Sequence, residues 1–494
     1  MHIHILGICG TFMGSLALLA RSLGHSVTGS DTGIYPPMST QLEAAGVVIE
    51  EGYLAEHLQP APDLVIVGNA MARGNEAVEY MLNQGLRYTS GPQFLSEQVL
   101  QSRHVIAVAG THGKTTTTTM LAWILQYAGI DTGFLIGGVP LVETDEPRLQ
   151  AAFAHSSHLG AASIDGHLGY FVIEADEYDS AFFDKRSKFV HYRPRTAVLN
   201  NLEFDHADIF ADLNAIQTQF HHMIRMIPSN GRIIMPANTP SLETTIDKGC
   251  WTPIWRTAVE SDGIDTGDDI NAEEACWLAE LTSMDGSQFN IIFEAESETL
   301  RGTVKWGMSG EHNVNNALVA VAAAHDIGVD VTLACEALSN FAGIKRRMEL
   351  IGSIERATDS RIQVFDDFAH HPTAIHTTLA GAKNKLPGSK LWAIIEPRSN
   401  TMKLGIHKDS LAQSAQLADE VIWYEPAGLE WGLKEVVLAA SVNNAQRVMS
   451  STDAIIEYIA SQVQDSGSGN HAIVIMSNGG FEGIHQRLLN AIAL

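Results

Sequence analysis

The segment GTHGKTTTTTM at residues 110–120 restricts the fold more than any other stretch of this chain. It follows the apolar run Val105 to Ala109 and precedes the helix-like MLAWILQYAG, so it requires a strand, a tight loop and a helix in succession. Gly110 and Gly113 let backbone N–H groups turn toward a phosphate, the helix offers its positive N-terminus, and Lys114 brings a charge for β/γ oxygens. Thr115 is suited to bind Mg2+ through its hydroxyl, and Thr111, His112 and Thr116 complete the wrap. The common G-x-x-x-x-G-K-[ST] spacing wants glycine at position 108, where this chain has Val108, so the loop is a shorter G-x-x-G-K-T. A turn that merely joined strand to helix would not need the Lys-Thr pair, and a nucleotide site is the expectation.

Around this loop, short apolar runs alternate with Gly-rich or acidic loops and helical periodicity, which predicts an α/β protein with parallel sheets covered by helices. The 494 residues, 45% of them hydrophobic, accommodate three domains. The reading divides the chain into 1–102, 103–342 and 343–494. The first block holds HIHILG, HSVTGSD and DLVIVGNA; the second opens on HVIAVAG and continues through YFVIEADE and TAVLNNLEFDH to a helix beginning near Asn313. It also contains the acidic stretch from Glu260 to Asp285. The third carries RIQVFDDF, KLWAIIEP, EVIWYEP and HAIVIMSNGG. The outer blocks read as Rossmann-like, dinucleotide-type folds and the central one as a P-loop ATPase. A Ser/Ala/His/Gly-rich insert from Thr144 to Gly169 reads as a mobile surface loop.

Composition excludes several function classes. A formal charge of −26, with no Lys/Arg run set apart from it, would repel a phosphate backbone, so no nucleic acid partner is expected. The four cysteines lie far apart without a CxxC, which points away from zinc and disulfides and toward a reducing compartment. The start MHIHILGICG lacks a basic n-region and reads as a strand. No apolar run reaches the roughly 18 residues of a membrane helix. The expected location is cytoplasmic, without membrane insertion.

YFVIEADEYDS sets Glu174, Asp176, Glu177 and Asp179 at the C-terminal end of a buried-looking strand, where open α/β sheets bind ligands. The strand in TAVLNNLEFDHAD ends in Glu203, Asp205, His206 and Asp208. Crowded acids with an imidazole suit Mg2+ bridging nucleotide phosphates; their alternative use is to solvate loop ends and cap helices. The pairs His221-His222 and His370-His371 do not share a helix face and lack cysteines, so no transition-metal site is expected. At the amino terminus, GICGTFMG has Cys9 where a dinucleotide fingerprint has its second glycine. Gly7, Gly10 and, one strand later, Asp31 suit a diphosphate-linked nucleoside, NAD or a nucleotide sugar alike, or a purely structural turn.

Taken in order, GTHGKTTTT, EADEYDSAF, NNLEFDHADIF, GEHNVNNALVAVAA, RRMEL and DDFAHHPT resemble the Mur ligases over nearly the whole chain. The resemblance implies three domains, for a UDP-sugar, for ATP and for an incoming amino compound, and an enzyme that joins carboxylate to amine with cleavage of ATP to ADP. DDFAHHPT is similar to the DDYGHHPT of the branch that uses UDP-N-acetylmuramate. GNAMARGN, NNLEFDHADIF, EPRSNTMKLG and SNGGFEGIHQRLL look like the peptide-recycling member of that branch, which adds the tripeptide L-alanyl-γ-D-glutamyl-meso-diaminopimelate. The alternative is the L-alanine-adding member.

Carried over by position, the resemblance implies that Gly110 to Thr116 wrap the phosphates, with Lys114 on the γ-phosphate and Thr115, Glu174 and His206 holding Mg2+. Asn313 and Asn316 should lie near adenine, and Arg347, Asp367 and His370 should reach ATP from the third domain. Gly7, Gly10, Asp31 and Asn69 are assigned to the UDP-sugar site. An acceptor bearing carboxylates needs positive partners, for which Arg398 and Lys403 are candidates, with Asn400 adding hydrogen bonds; the alternative is that Arg398 and Lys403 only decorate a helix start. The carbamylated lysine of many members has no counterpart in IQTQFHHMIRMIP, where His221 falls near its place. Rival readings from other classes are a P-loop switch protein that does not ligate and an NAD-linked oxidoreductase; the latter leaves Lys114 and the acid clusters unexplained.

Overall fold

Three large sheets organise the described residues, beside a two-stranded hairpin of Asp179–Ala181 and Asp184–Ser187. The computed structural model describes all residues except 36–37, 165, 261–275, 296–297, 357–359, 430, 441–443, 466–468 and 494. The first sheet has five parallel strands in the order Val48–Glu51, Ser26–Asp31, His2–Leu6, Leu64–Val67, Tyr88–Ser90. This is the half-Rossmann order, so the sheet has its topological switch between Ser26–Asp31, His2–Leu6 and Leu64–Val67, beside the Gly7 turn.

The central sheet has eleven strands among the described residues. Its parallel core runs Trp277–Leu281, Ile254–Glu260, Arg232–Pro236, Thr196–Leu199, Arg103–Ala109, His167–Glu174, Gly133–Leu135, with antiparallel strands at both edges. Arg103–Ala109 lies in the middle and is apolar from Val105 to Ala109, as a parallel strand covered on both faces must be. The third sheet pairs Arg361–Asp367 with antiparallel Glu349–Glu355 on one side and continues on the other through His471–Met476, Lys390–Ile395, Glu420–Tyr424 and Ala445–Met449, all parallel.

Two helices fix the loop at the centre of the middle sheet. Lys114–Tyr127 is buried along nearly its whole length, threonines included, because it packs against the sheet and against the helix Glu311–Asp326 beside it. The alanines of the latter, Ala317, Ala320 and Ala322 to Ala324, let the two backbones approach. Trp123 fills the space beside them, and its indole N–H donates to the Ala337 carbonyl at 2.7 Å.

The segment 144–169 is not the mobile surface loop expected from its composition. It forms the helix Pro147–Ala152 and the strand Ser157–His158, which extends the central sheet, and Ser163–Ile164 pairs with His167–Glu174. Leu149 and Phe153 enter the core, Phe153 stacked on Phe134 at 4.9 Å. Two buried apolar side chains outweigh the polar composition around them. The segment also joins units: Ser156 Oγ meets Ser15 Oγ at 2.8 Å, and the Ser157 hydroxyl donates to the Ser15 carbonyl at 3.1 Å. Most of the acidic stretch from Glu260 to Asp285 lies outside the described residues.

Candidate functional site

All three sheets turn their strand ends toward one open cleft of about 1830 Å³. Gly7, Gly10, Asp31 and Asn69 line it from the first sheet, Thr111 to Thr116, Glu174, His206, Asn313 and Asn316 from the second, and Arg347, Asp367, His370 and Arg398 from the third. A pocket of about 270 Å³ continues from it past Tyr178, Asp205, His206, His370, Arg398 and Asn478, and there Asn400 and Lys403 join Arg398.

The phosphate loop owes its shape to its glycines. Gly110 and Gly113 take φ of +144° and +78°. A side chain at Gly113 would come within 2.4 Å of Asn316 Oδ1 and 2.9 Å of Asn200 Nδ2. Behind the loop, the Thr117 hydroxyl donates to Asn316 Oδ1 at 3.1 Å, and the Asn200 amide donates to both Thr117 Oγ1 and Asn316 Oδ1. Asn201 takes the other side: its Oδ1 accepts the His112 N–H at 2.7 Å and its carbonyl accepts the Thr111 N–H at 3.3 Å. The turn is therefore held by side chains and backbone of the neighbouring strand end, and a helix N-terminus opens into the cleft.

Charges converge beside it. Lys114 Nζ donates to the Gly110 carbonyl at 2.6 Å and lies 3.2 Å from Glu177 Oε2 and 4.0 Å from Asp176. Burial works against its charge, yet Glu177, Asp176 and Glu174 outweigh it and raise the Lys114 pKa. Glu177 is buried too, but Lys114 and His206 hold its carboxyl down to about 2. Glu174 accepts the Thr115 hydroxyl at 2.9 Å and the Gly137 N–H at 2.7 Å. Burial and then the charge of Asp176 push its pKa up.

Thr115 and Glu174 thus stand together, whereas His206 faces Glu177, with Nε2 at 3.1 Å from Glu177 and Nδ1 at 2.8 Å from the Tyr178 hydroxyl. His206 has φ of +55°, and its pKa is raised because Glu177 and Asp205 outweigh burial. The donor set of a hydroxyl, carboxylates and an imidazole beside the phosphate loop fits an oxygen-seeking cation such as Mg2+. Asp179 does not take part; it pairs with Lys185 on an exposed hairpin. His221 bonds the Gly249 carbonyl at 3.0 Å, away from the cleft.

From the third sheet, Arg347 lies over the Phe368 ring at 4.9 Å, and burial depresses its pKa against the pull of Asp367 and Glu174. Asp367 accepts the N–H groups of Met348 and Ala369, both at 2.8 Å. His370 shares 2.8 Å with the Phe368 carbonyl, and burial pushes it down to about 4, a neutral imidazole at physiological pH. Asn313 donates to the Ser309 carbonyl at 2.7 Å. On the first sheet, Asp31 already accepts the N–H groups of Cys9 and Gly33. It closes the Gly7–Gly10 turn and so shapes that wall of the cleft.

Sequence reasoning did not single out Asn200, Asn201 or Lys188. The asparagines act through contacts with residues some 80 or more positions away, for which local pattern carries no signal. Lys188, buried 3.5 Å from Asp176 and 5.1 Å from the Phe12 ring, links the first sheet to the acid cluster. Chemically the cleft can bind a triphosphate at the loop, neutralise its charge and present further groups from either side.

Three family models match in succession: "Mur ligase family, catalytic domain" over residues 2–103, "Mur ligase middle domain" over 108–324 and "Mur ligase, glutamate ligase domain" over 346–479. The chain is 49% identical, over all 494 residues and 98% of the relative, to the UDP-N-acetylmuramate–L-alanyl-gamma-D-glutamyl-meso-2,6-diaminoheptandioate ligase of Escherichia coli (strain K12). To the UDP-N-acetylmuramate–L-alanine ligase of Renibacterium salmoninarum it is 32% identical over 85% of this chain and 81% of that one. Among solved structures, a murein peptide ligase from Psychrobacter arcticus 273-4 is 69% identical, with a TM-score of 0.75 over 100% of this chain and 99% of the other. With matches spanning all three sheets and the phosphate loop intact, the chain belongs to the Mur ligase family.

Proposed function

We propose that this chain is an ATP-dependent ligase that joins the lactyl carboxylate of UDP-N-acetylmuramate to the amine of the recovered tripeptide L-alanyl-γ-D-glutamyl-meso-diaminopimelate, for peptidoglycan recycling. The observation that carries the reading is the single cleft in which a phosphate loop stands between two further walls, one from each outer sheet. Full-length identity of 49% to the tripeptide-adding relative, against 32% over part of the chain to the L-alanine-adding one, supports the acceptor.

In this reading residues 1–102 hold the UDP-sugar, 103–342 hold ATP, and 343–494 bring the tripeptide. Gly110 to Thr116 wrap the triphosphate, and Lys114 bonds the γ-phosphate, leaving its pairing with Glu177. Thr115, Glu174 and His206 hold Mg2+, which when bound neutralises charge on the phosphate oxygens. Asn316 supports the loop from behind and, with Asn313, borders the adenine side. Arg347, Asp367 and His370 meet the nucleotide from the third sheet.

The carboxylate of the sugar nucleotide attacks the γ-phosphorus, the bond to ADP breaks, and an acyl phosphate forms. Lys114 and Arg347 stabilise the charge on the transferring oxygens. The tripeptide amine then attacks the acyl carbon, the tetrahedral intermediate loses phosphate, and the amide remains. Arg398, Asn400 and Lys403 hold acceptor carboxylates in the adjoining pocket, where Lys403 is exposed and Arg398 stands 4.0 Å from Glu396. In this reading the reaction takes place in the cytoplasm.

Phosphate release with ATP, Mg2+ and UDP-N-acetylmuramate tests the proposal, with tripeptide in one tube and L-alanine in another. Release with tripeptide alone is expected. Release with L-alanine alone makes this the biosynthetic enzyme, and release with neither leaves a nucleotide-binding protein that does not ligate.

A further inference from the structure

His112, Glu203 and His371 come together from three segments: the phosphate loop, the loop after strand Thr196–Leu199, and the N-cap of helix Pro372–Lys385. Their ligand atoms lie within 4.8 Å of one another. Glu203 Oε2 is the hub, 3.4 Å from His112 Nε2 and 3.6 Å from His371 Nδ1. The two imidazole rings are 4.6 Å apart. A tetrahedral site with bonds of about 2.1 Å has ligand-to-ligand edges of about 3.4 Å, so the two spacings from Glu203 approximate two edges of such a site. Two imidazoles and one carboxylate form a donor set suited to zinc or its neighbours and poorly suited to Mg2+ or Ca2+.

The hydrogen bonding of His371 is incomplete. The residue is 5% exposed; its Nδ1, which faces Glu203, accepts only the Thr373 N–H at 3.3 Å, while its Nε2, on the other side of the ring, is buried without a partner. His407, whose Nε2 is also buried without a partner, lies edge-on to His371 at 4.5 Å. The Thr373 hydroxyl donates to Glu203 Oε2 at 2.8 Å and orients the carboxylate, as outer groups do around metal ligands.

We propose that His112, Glu203 and His371 form a site for a divalent transition metal of the zinc class, separate from the Mg2+ site at Thr115 and Glu174. Three protein ligands leave the fourth position to water. Because His112 belongs to the phosphate loop and His371 to the third unit, the bound ion bonds those two units directly. The site stands whichever acceptor the cleft takes.

Titration of the full chain with Zn2+ alone, without ATP or Mg2+, and with Co2+ as a spectroscopic probe tests this. The expected result is one ion per chain, tetrahedral Co2+ absorption that Zn2+ abolishes, and at least a tenfold loss of affinity in both His371→Ala and Glu203→Gln. Glu174→Gln should bind Zn2+ as the parent does. Two single variants from different segments guard against the loss of one to misfolding. Retained Zn2+ affinity in both variants, loss confined to Glu174→Gln, or octahedral Co2+ spectra would overturn the assignment.

Discussion

Lys114 and Gly113 do different work at the same loop. Lys114 is a buried cation surrounded by Glu174, Asp176 and Glu177, so Lys114→Ala removes a phosphate contact and also leaves carboxylates without compensation. Phosphate release should fall by about 10²–10³-fold or more, and the melting temperature should drop as well; an active, equally stable variant would refute the role. Gly113→Ala meets Asn316 and Asn200 at a φ of +78°, and the strain of about 1–3 kcal/mol should weaken ATP binding in a calorimetric titration. For His206, whose pKa is raised above 6.5, the stabilisation is fully present below pH 6.5 and is lost as pH rises through the folded value. NMR of the nucleotide-free chain should find its midpoint above 6.5, falling in Glu177→Gln. The melting gap between the parent and His206→Gln should narrow as pH rises. Lys114, Thr115 and Glu174 were legible because loop spacing and strand ends announce them, whereas Asn200, Asn201 and Lys188 act through distant partners and carry no local pattern.

At the scale of elements, the short apolar runs forecast strands because a parallel sheet buried on both faces leaves no room for alternation. The runs in HVIAVAG, YFVIEADE, KLWAIIEP and HAIVIMSNGG are all strands. The insert at 144–169 misled for the converse reason: its structure depends on Leu149 and Phe153 finding a core built by other segments. The helix after the phosphate loop is the element most dependent on packing, since a run of five threonines has poor intrinsic helix propensity. Trp123→Ala should therefore destabilise the central unit by about 3–5 kcal/mol, read as an earlier thermal transition that bound ATP partly restores. A transition unmoved by the substitution would mean that the helix does not rely on this contact.

Over the whole molecule, the third unit meets the second through polar contacts. Thr401 donates to Asp205 at 2.7 Å, Asn400 to Asp208 at 2.9 Å and Thr373 to Glu203 at 2.8 Å. Interfaces of this kind permit relative motion of domains, which a ligase that must admit a second substrate and then exclude water requires. Because Arg398 lines the side pocket with Asn400 and Lys403, Arg398→Ala should raise the KM for tripeptide several-fold and leave ATP binding unchanged. An unchanged KM removes Arg398 from the acceptor site.

From sequence alone came the α/β class, the phosphate loop and the acids at strand ends, because each rests on interactions within a few residues or on the twofold and 3.6-residue periods of the backbone, while the family came from the resemblance of motifs along the whole chain. Only the tertiary structure decided that Glu174 turns to Thr115 while His206 turns to Glu177, that Asn316 supports Gly113, and that His112 meets His371 across two units. Those pairings join residues far apart in the chain, and which of several chemically suitable partners a side chain meets is set by how three sheets pack, a choice that no local spacing encodes.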